Sequence, residues 1–190
     1  MKLLLILDRV AFWLFFRWRY RRMFAAYGND VRWGKHFRRR TIPSTVRISC
    51  PERIQIGDAC RIDEGVYLQC HHEGDGISLG TGTRINAHAH LLAYSRIELG
   101  AHVLVAPFAL LASGDHGHAQ RDVPIMQQPY QRSGPILVGA GSWIGQGAKL
   151  LGNARVGRNS VVAAGAVVKA AFEDHSILAG VPARCVRTIA

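Results

Sequence analysis

The stretch VGAGSWIGQGAKLLGNARVGRNSVVAAGAVV, residues 138–168, decides the fold. Its aliphatic residues recur every six positions without a break, and the residue four positions after each of them is small. An amphipathic helix repeats every ~3.6 residues and an alternating strand every ~2, so neither predicts this pattern. A period of about six residues is typical of a parallel β-helix, in which each unit forms one side of a coil.

The same period extends upstream to residue 56, with three aliphatic anchors in each coil. The anchors group into five coils: Ile56, Ile62 and Leu68; Leu79, Ile85 and Leu91; Leu99, Val105 and Leu111; Val138, Ile144 and Leu150; Val156, Val162 and Val168. Twelve of the fourteen small positions hold Ser, Thr, Ala, Val or Cys, and the exceptions are His72 and Asp115. The sequence therefore predicts an all-β fold of stacked coils with a narrow apolar interior.

The breaks in the period all fall after the third anchor of a coil. Coils 1, 2 and 3 are followed by five, two and 21 extra residues, whereas none separates coils 4 and 5. This places every insertion on one edge of the solenoid, where insertions usually build the binding surface. His72 and Asp115 fall at that edge too. We therefore expect the functional site there, beside a protruding loop at residues 112–135.

The positive charge is concentrated near the start of the chain. The net charge is +11, and residues 1–40 hold 11 of the 24 Lys and Arg residues but two of the 13 acids. The remainder is nearly neutral, so the charge does not predict nucleic-acid binding. Four cysteines without a CxxC pair are typical of reduced thiols in a cytoplasmic protein.

The first forty residues differ in character from the repeat. The apolar run Leu3–Phe16 is interrupted by Asp8 and Arg9, and a basic cluster follows at Arg17, Arg19, Arg21 and Arg22. The run is shorter than the ~20 residues of a membrane span and lacks the cleavage site of a signal peptide. We predict a helical arm over 1–40, a β-helix over 41–172 and a C-terminal cap over 173–190. The arm has three open uses: contact with the inner membrane surface, packing on the protein or a sister subunit, or an anionic partner.

Over about residues 45–187 the sequence resembles the hexapeptide-repeat acyltransferases, in particular the maltose/galactoside and polysaccharide O-acetyltransferase group. The motifs that carry the resemblance are Ser113–His118, PIMQQ at 124–128, Trp143-Ile-Gly, Ala164–Val168 and Ala179–Arg184. The resemblance implies a left-handed parallel β-helix, a homotrimer with sites between subunits, and transfer of an acetyl group from acetyl-CoA. The implied acceptor is a sugar hydroxyl, in a cell-surface polysaccharide or lipid-linked glycan.

Acyl transfer to a hydroxyl needs a general base, and His116 opens the longest insertion. An imidazole titrates near neutral pH, which suits this role. The resemblance places the catalytic histidine at His116 and implies that Asn86 of a neighbouring subunit shapes the oxyanion and acceptor region. His118 is the alternative base, and Asp115 either orients the ring or only begins the loop.

The resemblance also implies an acetyl-CoA groove, and no metal. The matching positions are Trp143, Gln146, Ala164, Lys169, Arg184 and Arg187. Lys and Arg side chains are suited to the cofactor phosphates. The chain departs from the family pattern at His88 and Ala93, which bears on the acceptor, and at Ala170, which removes one lysine.

Three rival functions remain. A zinc enzyme similar to the γ-class carbonic anhydrases would use a His-x4-His pair, which this sequence lacks. A serine acetyltransferase would need a larger helical N-terminal domain than forty residues provide. A non-catalytic scaffold is disfavoured by the intact His116 segment. Within acetyl transfer, an antibiotic of the chloramphenicol type is the alternative acceptor.

Overall fold

The computed structural model describes residues 32–33, 43 and 45–190, and at residues 32 and 33 only the backbone. The regular structure of this part is almost entirely short β-strands. In chain order they are β1 (Arg32–Trp33), β2 (Arg47–Ser49), β3 (Ile54–Ile56), β4 (Arg61–Ile62), β5 (Tyr67–Cys70), β6 (Ile77–Leu79), β7 (Arg84–Ile85), β8 (His90–Ala93), β9 (Ile97–Leu99), β10 (Leu104–Val105), β11 (Leu110–Ala112), β12 (Gly114–His116), β13 (Tyr130–Arg132), β14 (Ile136–Val138), β15 (Trp143–Ile144), β16 (Lys149–Leu151), β17 (Arg155–Val156), β18 (Val161–Val162), β19 (Val167–Val168), β20 (Ala171–Phe172), β21 (Ser176–Gly180) and β22 (Ala183–Thr188). Two 3₁₀ turns, Pro51–Arg53 and Ile125–Gln127, also lie in it.

Three sheets form the faces of a three-sided parallel β-helix, which confirms the predicted solenoid. The first face has the order β1-β3-β6-β9-β14-β17-β20, the second β4-β7-β10-β15-β18-β21-β22 and the third β2-β5-β8-β11-β16-β19. The chain visits the first, second and third faces in turn within each coil. It then crosses the edge between the third and first faces, which we call the insertion edge.

The predicted anchors pair in register along each face. On the third face, for example, Leu91 is paired with Leu111 and Leu111 with Leu150. The pairing continues across the longest insertion, because Leu99 on β9 lies beside Val138 on β14. The other anchors are paired with their predicted counterparts as well. The six-residue period therefore predicts the register of all five coils.

The anchors and small residues fill the interior. Leu68, Leu91, Leu111 and Leu150 are fully buried. Each buried aliphatic side chain contributes about 1.5–3 kcal/mol to folding. The twelve small positions are buried too, whereas the two exceptions are exposed at the insertion edge. A single coil cannot bury its own interior, so stability depends on the stack of coils.

Glycines at the corner between the first and second faces make room for side chains of the next coil. Gly82 has φ +73°, and an added Cβ there would overlap the His102 ring. Gly141 also has φ +73°, and a Cβ there would overlap the Asn159 amide. His102 and Asn159 adopt the same left-handed conformation at this corner, so it is the lack of space for a Cβ that requires glycine at Gly82 and Gly141.

The two ends of the described solenoid are closed differently. Strand β1 pairs in parallel with β3, so at Arg32 and Trp33 the chain is a strand within the segment predicted as a helical arm. The remaining residues of the arm lie outside the described residues, and its three possible uses stay predictions. At the other end β21 pairs in parallel with β18, and β22 folds back antiparallel on β21. Leu178 of β21 is fully buried above the last coil, in the segment predicted as the cap.

No helix within the described residues has the length and apolar character needed to cross a membrane.

Two cysteines belong to the interior of the first coil. Cys60 and Cys70 are buried, and Cys185 is exposed on β22. Burial raises the pKa of the Cys70 thiol to about 12 and also raises that of Cys60. A thiol that stays protonated is a poor nucleophile. These two residues therefore act as small core residues.

Candidate active site

The insertions of coils 1, 2 and 3 meet along the insertion edge. They comprise residues 71–76, 94–96 and 113–135, and each follows a strand of the third face. The longest insertion contains the antiparallel pair β12–β13, with His116 opposite Tyr130 and Gly114 opposite Arg132. The loop predicted at 112–135 is therefore a hairpin whose paired strands present His116 at the edge.

A buried glutamine holds the far end of this hairpin together. The amide of Gln128 donates to the carbonyls of Gln120 and Val123, at 2.9 and 2.8 Å. Its oxygen accepts a hydrogen bond from the backbone N–H of Gln120, at 3.0 Å. Gln128 belongs to the PIMQQ motif, so that motif has a structural role in shaping the hairpin.

Four rings from the three insertions form a row. The ring centroids of His71 and Tyr94 are 4.4 Å apart, those of Tyr94 and Tyr130 are 5.0 Å apart, and those of Tyr130 and His116 are 4.3 Å apart. The first two pairs are stacked and the third is tilted. Such separations are favourable for aromatic contacts. The row connects His116 to the solenoid through side chains of all three insertions.

Further contacts dock the hairpin on the coils. Arg132 forms an ion pair with Asp75 at 2.7 Å and also donates to the carbonyl of Glu73. Gly114 lies directly against the Tyr94 ring, and an added Cβ would overlap that ring. The base of the hairpin therefore fits closely on the two preceding insertions.

Ser113 joins the hairpin to the core. Its side chain is fully buried, and its hydroxyl donates to the carbonyl of Ser95 at 2.6 Å. The same oxygen accepts a hydrogen bond from the backbone N–H of Tyr94 at 3.1 Å. Ser113 directly follows β11, in register with the buried Ala93 of the preceding coil, whereas Asp115, which the period places in the interior, is exposed on β12.

His116 is exposed and its backbone is fixed. Its N–H donates to the Asp115 carboxylate at 2.8 Å, so the contact of that acid is with the backbone rather than with the imidazole. Nδ1 of His118 lies 3.2 Å from the carbonyl oxygen of His116. The His116 ring contacts Tyr130 and remains accessible to an acceptor. Burial and the adjacent Tyr130 hydroxyl raise the pKa of Tyr94, which stays protonated at neutral pH.

Asn86 lies on a different edge of the chain from His116. It follows β7 at the corner between the second and third faces, and its backbone N–H donates to the carbonyl of Val105 at 2.9 Å. Its side chain is half-buried. The two predicted catalytic residues are thus not brought together within one subunit.

Several of the predicted acetyl-CoA residues share the second face and the corner where Asn86 lies. Gln146 and Ala164 occupy equivalent places in coils 4 and 5, and the N–H of Gly165 donates to the carbonyl of Gln146 at 2.9 Å. Trp143 is 47% exposed on the adjacent strand β15. An added Cβ at Gly147 or Gly165 would meet no atom within 4 Å, so this corner is open. Open backbone beside an exposed indole fits the pantetheine arm of acetyl-CoA.

The predicted basic residues divide between two places. Arg184 and Arg187 are exposed on β22, which is the outer strand of the second face. Three strand spacings separate β22 from Trp143 on β15, or about 14 Å. Lys169 is exposed after β19 and therefore lies at the insertion edge. Five of the six predicted groove residues are thus on the second face or its corner, and Lys169 is not.

One group of potential metal ligands occurs among the described residues. His71, His72 and Glu73 have ligand atoms within 4.8 Å of one another. Zn²⁺ prefers a converging tetrahedral set. These three are consecutive in sequence, two of them are exposed, and His71 stacks on Tyr94. The expectation that no metal takes part stays a prediction.

Sequence reasoning missed the residues that surround His116. Tyr94, Tyr130 and Arg132 follow no six-residue period, because they lie in insertions. The available signal was that each of the three insertions contains a ring: His71 in residues 71–76, Tyr94 in residues 94–96 and Tyr130 in the hairpin. Periodicity assigns such residues no contact.

Comparison with known proteins agrees with this architecture. The profile of the family described as bacterial transferase hexapeptide (six repeats) matches residues 135–170. A probable acetyltransferase of Mycobacterium tuberculosis is 31% identical over 139 residues, which are 71% of this chain and 44% of that protein. An Escherichia coli protein provisionally named lipopolysaccharide biosynthesis O-acetyl transferase is 25% identical over 65% of this chain and 66% of its own length.

A solved structure has the same fold with a ligand bound. A hexapeptide-repeat acetyltransferase from Vibrio cholerae, complexed with acetyl-CoA, is 27% identical, with a TM-score of 0.58 over 68% of this chain and 67% of that one. The chain spans 44% and 66% of the lengths of the two sequence relatives. On these matches residues 135–170 carry the bacterial transferase hexapeptide repeat, and the chain is similar to hexapeptide-repeat acetyltransferases, as the motifs predicted.

Proposed function

We propose that this protein is an acetyl-CoA-dependent O-acetyltransferase in which His116 is the general base and the acceptor is a sugar hydroxyl. The observation that carries the proposal is the placement of His116: an exposed imidazole on a paired hairpin, at the edge where all insertions converge. Similarity to acetyltransferases that carry the same repeat supports the reaction class.

The chemistry follows from the properties of the imidazole. Acetyl-CoA, when bound, supplies the acetyl group as an activated thioester. His116 accepts the proton of the acceptor hydroxyl as its oxygen attacks the acetyl carbon, and the imidazolium then returns that proton to the departing sulfur. An imidazole suits both steps because it exchanges a proton near neutral pH. No covalent enzyme intermediate is needed, and the buried Cys60 and Cys70 have no role.

The site is completed by a second subunit. His116 lies at the insertion edge, whereas Asn86, Gln146 and Ala164 lie at the corner between the second and third faces. A homotrimer with parallel axes would bring one edge of each subunit against a different edge of its neighbour. Asn86 of that neighbour would then donate its amide N–H to the oxygen on which negative charge develops.

A glycan is the favoured acceptor. One relative is provisionally named for lipopolysaccharide biosynthesis, and the aromatic residues of the insertion edge suit the apolar faces of sugar rings. An acceptor of the chloramphenicol type is the second candidate, since the same base would activate its hydroxyl.

Replacing the base tests the proposal. His116→Ala should lower kcat by about 100- to 10,000-fold, because general-base catalysis is lost. Release of CoA from acetyl-CoA is measured with a panel of saccharides, lipid-linked glycans and chloramphenicol. His118→Ala is the matched control, two residues away, and should keep near wild-type activity. Equal activity of wild type and His116→Ala would reject the role of His116, and loss only in His118→Ala would move the role to His118.

Mixed trimers test whether the site is shared. His116→Ala and Asn86→Ala subunits are unfolded together, refolded and assayed, with each variant treated alone as control. Random mixing in a symmetric trimer leaves about one quarter of the interfaces with both native residues, so activity should recover to that level. If both residues acted within one subunit, mixing would restore nothing.

A further inference from the structure

We propose that Tyr130 is a positioning residue that holds the His116 imidazole in its working orientation, and that Tyr94 and His71 hold Tyr130 in turn. This inference rests on the proposed function, since it concerns how the base of that reaction is oriented.

The contact between the two rings is direct. Tyr130 and His116 are opposite each other on β13 and β12, and their ring centroids are 4.3 Å apart at an angle of 41°. Both side chains are exposed, so no core surrounds the imidazole. The Asp115 carboxylate accepts a hydrogen bond from the His116 backbone and not from its ring. Among the described residues, the contact that restrains the His116 ring is therefore the one with the Tyr130 ring.

Tyr130 is itself fixed from the far side. It stacks on Tyr94 at 5.0 Å and 28°, and Tyr94 stacks on His71 at 4.4 Å and 23°. Tyr94 begins the insertion of coil 2, where its backbone N–H donates to the buried Ser113 hydroxyl. The row therefore ends at Tyr94 and His71, which directly follow strands of the solenoid and do not belong to the hairpin.

Close contacts with the coils also fix the position of the hairpin backbone. Gly114 packs on Tyr94 so closely that an added Cβ would overlap the ring, and Arg132 binds Asp75 across the edge. The backbone of β12 is thus placed by the same tyrosine that supports Tyr130. Orientation of a catalytic group matters because a misplacement of about 1 Å can lower the rate by about 100-fold.

The ring of Tyr130, and not its hydroxyl, holds the His116 imidazole in orientation. The Tyr130 hydroxyl meets Tyr94, whereas the contacts with the Tyr94 and His116 rings are made by the Tyr130 ring, stacked and tilted respectively. Phenylalanine preserves such contacts, whereas alanine removes them. Tyr130→Phe is therefore the conservative variant, and it should keep the orientation of His116 that Tyr130→Ala loses.

A second tyrosine provides a matched control. Tyr67 contacts His90 with ring centroids 4.4 Å apart at 44°, nearly the geometry of the Tyr130–His116 pair. Both residues of that pair are on the third face, outside the insertions. Tyr67→Ala therefore removes an equivalent ring contact at a different place.

The kinetic experiment measures kcat and the KM for acetyl-CoA in the wild type, Tyr130→Ala, Tyr130→Phe and Tyr67→Ala. Tyr130→Ala should lower kcat by about 10- to 100-fold with KM changed less than about twofold. Tyr130→Phe and Tyr67→Ala should remain within about twofold of the wild type in kcat. A wild-type kcat in Tyr130→Ala, or an equal loss in Tyr130→Phe, would overturn the inference.

A spectroscopic experiment tests the same geometry without turnover. The His116 Hε1 proton resonance is assigned by its absence in His116→Ala. A ring held against Tyr130 should have a shifted resonance that Tyr130→Phe keeps and Tyr130→Ala returns to the position of a free histidine. An unchanged resonance in Tyr130→Ala would overturn the inference.

These readouts separate the two proposals. If the wild type transfers no acetyl group, or if His116→Ala is fully active, the proposed function fails while the resonance still reports whether Tyr130 holds the ring. If His116→Ala is inactive but Tyr130→Ala behaves as the wild type in both experiments, the proposed function stands and the positioning role of Tyr130 is rejected.

Discussion

Coils 4 and 5 and the insertion edge are stabilised by different kinds of contact. In the two coils, residues 138–168 run without insertion, and aliphatic anchors such as Ile144 and Leu150 are fully buried. At the edge, the contacts are half-buried and exposed rings, an ion pair between Arg132 and Asp75, and backbone hydrogen bonds.

This difference separates stability from chemistry. Burial of apolar surface supplies most of the free energy of folding, and the coils have nearly all of it. Exposed ring contacts and ion pairs contribute little, so the edge can vary without loss of the solenoid. We therefore expect substitutions in the coils to change stability and substitutions at the edge to change turnover. Three predictions, each measured as the free energy of urea unfolding at one protein concentration, test this.

The largest expected effect is in the core. Leu111→Ala leaves a cavity at a fully buried position between Leu91 and Leu150, and should lower the free energy of unfolding by about 2–5 kcal/mol. Leu110→Ala, on the same strand but half-buried and facing outward, is the control and should cost a fraction of this. If the two variants were equally destabilised, interior packing would not be the source of stability.

An intermediate effect is expected where core and edge join. Ser113→Ala removes the partner of the Tyr94 backbone N–H and the bond to the Ser95 carbonyl, and should cost about 1–3 kcal/mol. Ser78→Ala, half-buried on the outside of β6, serves as the control. A cost for Ser113→Ala no larger than that of Ser78→Ala would show that the hairpin is not anchored through this hydroxyl.

The smallest effect is expected at the edge itself. Arg132→Ala breaks a half-exposed ion pair and should lower the free energy of unfolding by at most about 1 kcal/mol. Limited proteolysis should nevertheless cut residues 113–135 faster than in the wild type. Arg121→Ala, an exposed arginine of the same insertion, is the control for both measurements. If Arg132→Ala lowered the free energy of unfolding as much as Leu111→Ala, the insertion edge would stabilise the fold as strongly as the coils do.

The sequence predicts the coils almost completely. Ile56, Leu99 and Val138 are each the first anchor of a predicted coil once the insertions are set aside, and the structure pairs them with their predicted counterparts. This works because each coil contacts only its neighbours, so a local period is enough to define the register.

The six-residue period does not predict the contacts at the insertion edge. Tyr94 and Tyr130 are 36 residues apart in sequence and meet only because the insertion of coil 3 folds back over that of coil 2. No period relates them. Strand β1 was also missed, since two residues are too few to show a pattern. The sequence did predict which edge holds His116, because insertion length can be counted, but not the ring that supports it.

The fit between glycine and the next side chain has a consequence for how such a protein changes in length. Gly82 accepts the His102 ring between coils 2 and 3, and Gly141 accepts the Asn159 amide between coils 4 and 5. From coil 2 to coil 5 this corner therefore alternates an empty place with a filled one, whereas beyond coil 5 His175 follows Asn159. Deleting coil 3 alone would set Gly82 against Gly141, whereas deleting coils 3 and 4 together would set Gly82 against Asn159 and keep the fit. Within coils 2 to 5 the natural unit of exchange in evolution or design is therefore a pair of coils.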